Sequence, residues 1–96
     1  MNHYVYMLKS LKVKRFYVGY TTDLDRRVLE HNNGNTRSTR PFGPWKIIYH
    51  EVFNNRSDAY KREWHLKHSR GYKEKLEIIE KFGEVVSLRL INRRVT

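Results

Sequence analysis

Two tyrosine tripeptides, Tyr4-Val5-Tyr6 and Tyr17-Val18-Gly19, bracket a turn-like stretch from Ser10 to Lys14. Short aromatic and β-branched runs around such a linker call for a β-hairpin. Tyr6 and Tyr17 are eleven positions apart, so the turn should centre at Leu11/Lys12. The two phenols are then expected opposite each other on one face of the sheet. Gly19 adds no side chain to the second strand, which leaves room for another group to approach. Two phenols beside an opening are either a cross-strand core pair or a polar, reactive surface.

The rest of the chain can be read around this hairpin. The first strand is expected over residues 3–9 and the second over 16–20. Thr22-Asp23-Leu24-Asp25 opens a helix, with Thr22 as N-cap and Asp25 at the capping-box position. That helix should span residues 23–33, turn Leu24 and Val28 inward and end with Gly34 at C′. Asn33-Gly34 also reads as a hairpin turn, but the helical pattern before it argues for a cap. Residues 35–44 hold two prolines and a glycine, which exclude regular structure. This loop carries Arg37, Arg40 and Phe42 and no acid, so it is either a phosphate contact or a solvated connection.

A third strand is expected over residues 45–53, where Trp45, Ile47, Tyr49 and Phe53 mostly alternate. A second helix begins at an N-cap Ser57 and runs to about His68, until Arg70-Gly71 breaks it. A third, with Tyr72, Leu76 and Ile79 at helical spacing, runs to about Phe82, and Gly83 ends it. In residues 84–96 the alternation of Val86, Leu88 and Leu90 suggests a strand, with a helix as the alternative. The order ββαβαα implies an α+β domain with a small, mostly antiparallel sheet flanked by helices. Residues 1–83 form the domain, and 84–96 are either part of it or a loose extension.

With 96 residues the chain has one domain and a modest core. It has no cysteine, which excludes disulfides, thiolate zinc sites and a cysteine nucleophile. No stretch is apolar enough to span a membrane, and the start, Met1-Asn2-His3-Tyr4, lacks a signal-peptide pattern. The cytoplasm is the expected compartment. Twenty basic residues against ten acidic ones leave a net charge of +10. A polyanion is therefore the expected partner, nucleic acid before an anionic membrane, because no helix clearly pairs a basic with a strongly apolar face.

Arg27 and His31 follow the second tripeptide, four apart and so on one helical face. Glu63 lies in the second predicted helix. The ordered set Tyr6, Tyr17, Gly19, Arg27, His31 and Glu63 resembles the GIY-YIG nuclease family, with the arginine ten residues after the second tyrosine. In size the chain resembles the small stand-alone bacterial members, related to the first cleavage domain of the excinuclease C subunit. The resemblance covers roughly residues 3–80 and implies a three-stranded sheet flanked by helices.

The resemblance implies hydrolysis of DNA phosphodiesters with one Mg²⁺ or Mn²⁺ ion held by Glu63. It makes Tyr17 the general base, Tyr6 a partner that orients water or shares a hydrogen bond, and Arg27 the phosphate ligand. It also implies that His31 touches the nucleophilic water or the phosphate and moves protons near neutral pH. A free phenol titrates near pH ~10, so a tyrosine base needs positive charge nearby. Some relatives carry a lysine just after the second tripeptide, where this chain has Tyr20-Thr21-Thr22. Arg26, Lys67, or the loop of Arg37 and Arg40 must then meet the phosphate charge, with Arg70 close by in sequence. Tyr4 stands where the family name has glycine.

Each residue also has a structural reading: Glu63 and Lys67 as an i, i+4 surface pair, Tyr6 as a packing residue, His31 as a helix-end histidine. His65 and His68 lack the carboxylate pattern of a zinc motif. A rival reading keeps the fold and charge as a non-catalytic nucleic-acid-binding module, with Tyr20, Phe42, Trp45 and Trp64 as stacking surfaces. A subunit lending basic surface to a larger repair complex is a third. Structure-directed recognition of branches, flaps or single strands is expected, because so small a domain has little surface for base readout.

Overall fold

Along β1 (His3–Ser10) the side chains alternate, so Val5 and Met7 face one way and Tyr6 and Leu8 the other. All four are buried, which requires cover on both faces of the sheet. β1 is accordingly the central strand, flanked by β2 (Phe16–Thr21) and β3 (Trp45–Phe53) in the order β2-β1-β3, both pairings antiparallel. The computed structural model describes residues 1–83. The strand or helix expected within residues 84–96 lies outside the described residues.

The helices α1 (Leu24–Asn32), α2 (Arg56–Lys67) and α3 (Tyr72–Ile78) complete the expected ββαβαα order. On one face Val5, Met7 and Val18 pack with Ala59 and Leu66 of α2 and Ile78 of α3. On the other, Tyr6, Leu8 and Trp45 pack with Leu24 and Val28 of α1. β3 serves both faces because its register shifts at Met7/Leu8. Leu8 pairs with Ile47 and Met7 with Tyr49, so Ile48 is an extra residue and the strand turns over there. Trp45 and Ile47 therefore lie on the α1 side, while Tyr49 and Phe53 join the α2 core, which corrects the single alternation expected across this strand.

The hairpin register also differs from expectation. Tyr6 pairs with Gly19 and Tyr17 with Leu8, so the tyrosines are diagonal neighbours on one face. The cause is Ser10, whose hydroxyl accepts from the N–H groups of Lys12 and Val13, both at 3.0 Å, while its own N–H donates to Arg15 O at 2.9 Å. This centres the turn one position later, between Lys12 and Val13.

Both helix starts fall beside the expected caps. Asp23, not Thr22, caps α1 by accepting from Arg26 N at 3.1 Å. Asn55, not Ser57, caps α2 by accepting from Asp58 N at 2.8 Å. The α1 C-terminus is as expected. Gly34 has φ of +77°, and Gly34 N and Asn35 N donate back to His31 O and Glu30 O. The 35–44 loop contains one 3₁₀ turn, Arg40–Phe42, where only irregular structure was expected. After α3 the chain winds into a π turn, Ile79–Gly83.

Arg62 ties three elements together. Its guanidinium donates to both Glu51 carboxylate oxygens at 2.8 Å and to both of Glu74. Tyr49 donates to Glu51 as well. Arg62 and Glu51 are mostly buried, so removing the arginine strands a carboxylate against β3. Arg62→Ala should lower stability by about 2 kcal/mol, less than a fully buried pair because Glu74 remains half exposed. Urea unfolding midpoints of the variant and the parent check this.

Candidate active site

Gly19 is the position that assembles the site. A Cβ there would lie 2.5 Å from Tyr6 Oη and 2.8 Å from Tyr17 Cε2. The group that uses the space left by the missing side chain is thus the Tyr6 ring itself. Tyr6 and Tyr17 lie with ring centroids 6.2 Å apart, and His31 of α1 contacts both, at 5.9 Å from Tyr6 and 4.8 Å from Tyr17.

The polar atoms beneath form a buried row. Tyr6 Oη is 2.8 Å from His31 Nε2, and His31 Nδ1 is 2.8 Å from Thr39 Oγ1. Tyr6, His31 and Thr39 are each about 1 % exposed. One assignment satisfies every donor: the Tyr6 hydroxyl donates to Nε2, Nδ1–H donates to Thr39, and the Thr39 hydroxyl donates more loosely to Thr36 O. The imidazole is therefore neutral. Burial, reinforced by the Arg27 charge and opposed by Glu30, pushes its pKa down to about 4.

This corrects the expectation that His31 reaches water or phosphate and moves protons near neutral pH. Both of its nitrogens are engaged inside the protein, and it positions Tyr6. Burial and the neighbouring Tyr17 drive the Tyr6 hydroxyl far above the ordinary phenol value, against the opposing pull of Arg27. Tyr6 is thus a fixed hydrogen-bond donor. Tyr17 remains half exposed on β2.

Arg27 reaches the tyrosines from α1. Glu30 accepts from its Nη1 at 3.0 Å, and Glu30, Tyr6 and Tyr17 together hold the guanidinium charged despite partial burial. α2 approaches from the other side. Tyr60, Glu63 and Lys67 share one flank of that helix, and Tyr60 packs on Tyr20 of β2 at 4.7 Å. Lys67 Nζ lies 5.6 Å from the Tyr17 ring centroid and 2.9 Å from Glu63 Oε2. The Glu63 carboxylate also pushes the Tyr6 hydroxyl upward, so its field reaches the tyrosine pair. α1 and α2 cover opposite faces of the sheet, and Lys67 of α2 reaches Tyr17 on the α1 side because β2 is the edge strand.

Tyr6, Tyr17, Arg27, His31, Glu63 and Lys67 therefore come together. Arg26 lies exposed beside Arg27, loosely paired with Asp23 and Glu30 at 3.8 and 3.9 Å. Arg37 and Arg40 are exposed on either side of buried Thr39, and Arg70 is exposed on the turn just past Lys67. Three residues were not anticipated. Glu30 follows Arg27 by three positions and was legible as a helical partner. Thr39 and His50 were not, because the first depends on loop folding and the second on strand pairing. His50 lies opposite Tyr6 on β3, exposed and edge-on to Tyr4 at 5.9 Å.

Glu63 is the carboxylate that could hold a cation, and among the described residues no cluster of three His, Asp or Glu forms a metal cage. One partly buried carboxylate fits a hard ion that keeps water and phosphate oxygen as its other ligands. It does not fit zinc. His65 contacts Glu74 at 3.4 Å and His68 Nδ1 lies 2.6 Å from Trp64 O, so neither histidine adds a ligand.

Residues 2–80 match the family described as the GIY-YIG catalytic domain. The chain is 42 % identical over 66 residues to a UPF0213 protein of Clostridium perfringens, covering 68 % of this chain and 70 % of that one. It is 36 % identical over 96 residues to the UPF0213 protein YsiG of Lactococcus lactis, covering 93 % and 92 %. The solution NMR structure of a UPF0213 protein from Bacillus halodurans is 41 % identical, with 79 % and 82 % covered and a TM-score of 0.49.

The folded His31 pKa lies below its unfolded value of 6.5, so the unfolded chain takes up this proton first as pH falls. Its contribution to stability should be complete above pH 6.5 and be lost towards pH about 4, on the order of 3 kcal/mol in all. Urea midpoints at pH 7 and 4.5 should diverge in the parent, and the gap should shrink in His31→Phe. Gly19→Ala should displace both tyrosine rings and lower stability by about 1–3 kcal/mol. Loss of the near-ultraviolet tyrosine dichroism, with far-ultraviolet dichroism retained, would check it.

Proposed function

Because this chain belongs to the GIY-YIG catalytic-domain family, we propose that it is a metal-dependent endonuclease that hydrolyses DNA phosphodiester bonds in repair or recombination. What supports this reading is the meeting of Tyr6, Tyr17 and Arg27 with the Glu63–Lys67 pair at one edge of the sheet. The formal charge of +10 favours the polyanionic substrate. A nucleic-acid substrate fits a cytoplasmic chain.

Tyr17, half exposed beside Arg27 and Lys67, accepts the proton of the attacking water. The step needs the phenolate, which uptake of the proton turns into the phenol, and cationic groups beside the ring are what such a base requires. Tyr6, its hydroxyl proton given to His31, orients the attacking water by accepting from it, in a position that His31 and Thr39 hold from below. Arg27, oriented by Glu30, binds the phosphate through its planar fork. Arg26, Lys67, Arg37, Arg40 and Arg70 carry the flanking phosphates, in place of the lysine that some relatives have after the second tripeptide. Here Thr21 instead accepts from Asp23 N at 3.0 Å and shapes the start of α1. Glu63 would hold one Mg²⁺ or Mn²⁺, which when bound supplies Lewis-acid stabilisation of charge on the phosphate and the leaving oxygen.

Labelled single-stranded, duplex, flap and branched DNAs should be cut with Mg²⁺ or Mn²⁺ and not with chelator. Tyr17→Phe and Glu63→Ala should each reduce cutting by roughly 10²-fold or more, the scale of a lost acid–base or metal contribution. Cutting in chelator, or wild-type rates in both variants, would overturn the mechanism. Salt-sensitive binding without cutting would instead favour the non-catalytic nucleic-acid-binding module.

A further inference from the structure

Arg56, Tyr60, Trp64 and His68 succeed one another every four residues and form a single row along α2 and its C-cap. Tyr60 is 46 % exposed and Trp64 56 % exposed, an unusual outlay of aromatic surface for so short a helix. Neither ring is loose. Tyr20 backs Tyr60 at 4.7 Å and is itself held by His3 Nδ1 at 2.7 Å from its hydroxyl. The Arg56 guanidinium lies 5.8 Å from the Tyr60 ring centroid. Trp64 stacks on His68 at 4.1 Å and 16°. Each ring therefore rests on a neighbour and still offers surface to solvent.

The next row of the same helix carries Glu63 and Lys67, so Tyr60 and Trp64 adjoin the two α2 residues that reach the tyrosine pair. The row is also flanked by positive charge, from Arg56 at one end to Lys67 beside Trp64. Ring faces held in place beside cationic groups match the chemistry of an unpaired nucleic-acid strand, whose bases stack while its phosphates pair with Lys and Arg. Bases within a duplex have no free faces to offer.

We propose that Tyr60 and Trp64 form a stacking platform for an unpaired strand that leads into the tyrosine site. Substrates with a single-stranded segment next to the scissile phosphate are then preferred. This rests on the nuclease reading above for the direction of the strand, but binding can be tested without cleavage.

The probe is fluorescein-labelled oligo(dT), compared with a duplex of equal length, on the full chain carrying Tyr17→Phe so that nothing is cut. Trp64→Ala should weaken oligo(dT) binding roughly five- to hundredfold at fixed salt, the effect of removing one stacked base. Trp64→Phe should restore most of the affinity, and the salt slope should stay unchanged because no charge is lost. An unaltered oligo(dT) affinity in Trp64→Ala would overturn the platform. So would an equal loss on single strand and duplex, or a change in sedimentation without a change in affinity, which would make the row a contact between copies. Trp64-dependent oligo(dT) binding by a parent chain that cuts no DNA with Mg²⁺ would uphold the platform and remove the nuclease. Cutting of single-stranded DNA that is indifferent to Trp64 would do the reverse.

Discussion

The hydrogen bond from Tyr6 to His31 is the interaction on which the site depends. It joins the central strand to α1 at a fully buried point, with 2.8 Å between Oη and Nε2. A buried phenol and a buried imidazole are each costly alone, and each satisfies the other. Thr39 closes the far end of the row and so draws the basic 35–44 loop down onto the helix. The Trp45 indole N–H then donates to Thr39 O at 2.8 Å, which fixes the loop to the start of β3. One polar row thereby locks a strand, a helix and a loop into a single arrangement.

The same row separates the two tyrosines chemically. Tyr6 sits under cover, its proton committed to His31. Tyr17 sits one diagonal step away on the edge strand, half exposed and within reach of Lys67. Two identical side chains on one sheet face thus have different environments, one with its proton held in place and the other left accessible. An edge strand is usually a liability because its backbone is open to pairing. Here the open edge is what lets α2 reach past the sheet to residues on the opposite face.

The geometry of α2 extends this logic. Its buried side packs Ala59 and Leu66 into the core, and Arg62 fastens it to β3 and α3. The opposite flank is then held in a fixed orientation, with Glu63 and Lys67 directed at the tyrosines and the aromatic row beyond them. A helix anchored by an ion-pair network on one side can present rigid functional groups on the other without further support.

Much of this was legible in the chain. The strand and helix order followed from apolar spacing, because burial on a sheet or a helix leaves a period in the sequence. The set Tyr6, Tyr17, Arg27, His31 and Glu63 carried the family resemblance. Local competition decided the details that differed: Ser10, Asp23 and Asn55 each offered a side-chain acceptor that beat the expected cap or turn. The hairpin register, the overturn of β3 at Ile48 and the place of Tyr6 over Gly19 were decided by tertiary packing. So was the protonation of His31, which a helix-end position alone would have made a ready proton carrier. Residue types and their spacing determined which elements form and which chemical groups are available. Burial and strand pairing, which depend on atoms distant in sequence, decided which of those groups face one another and which are withheld from water.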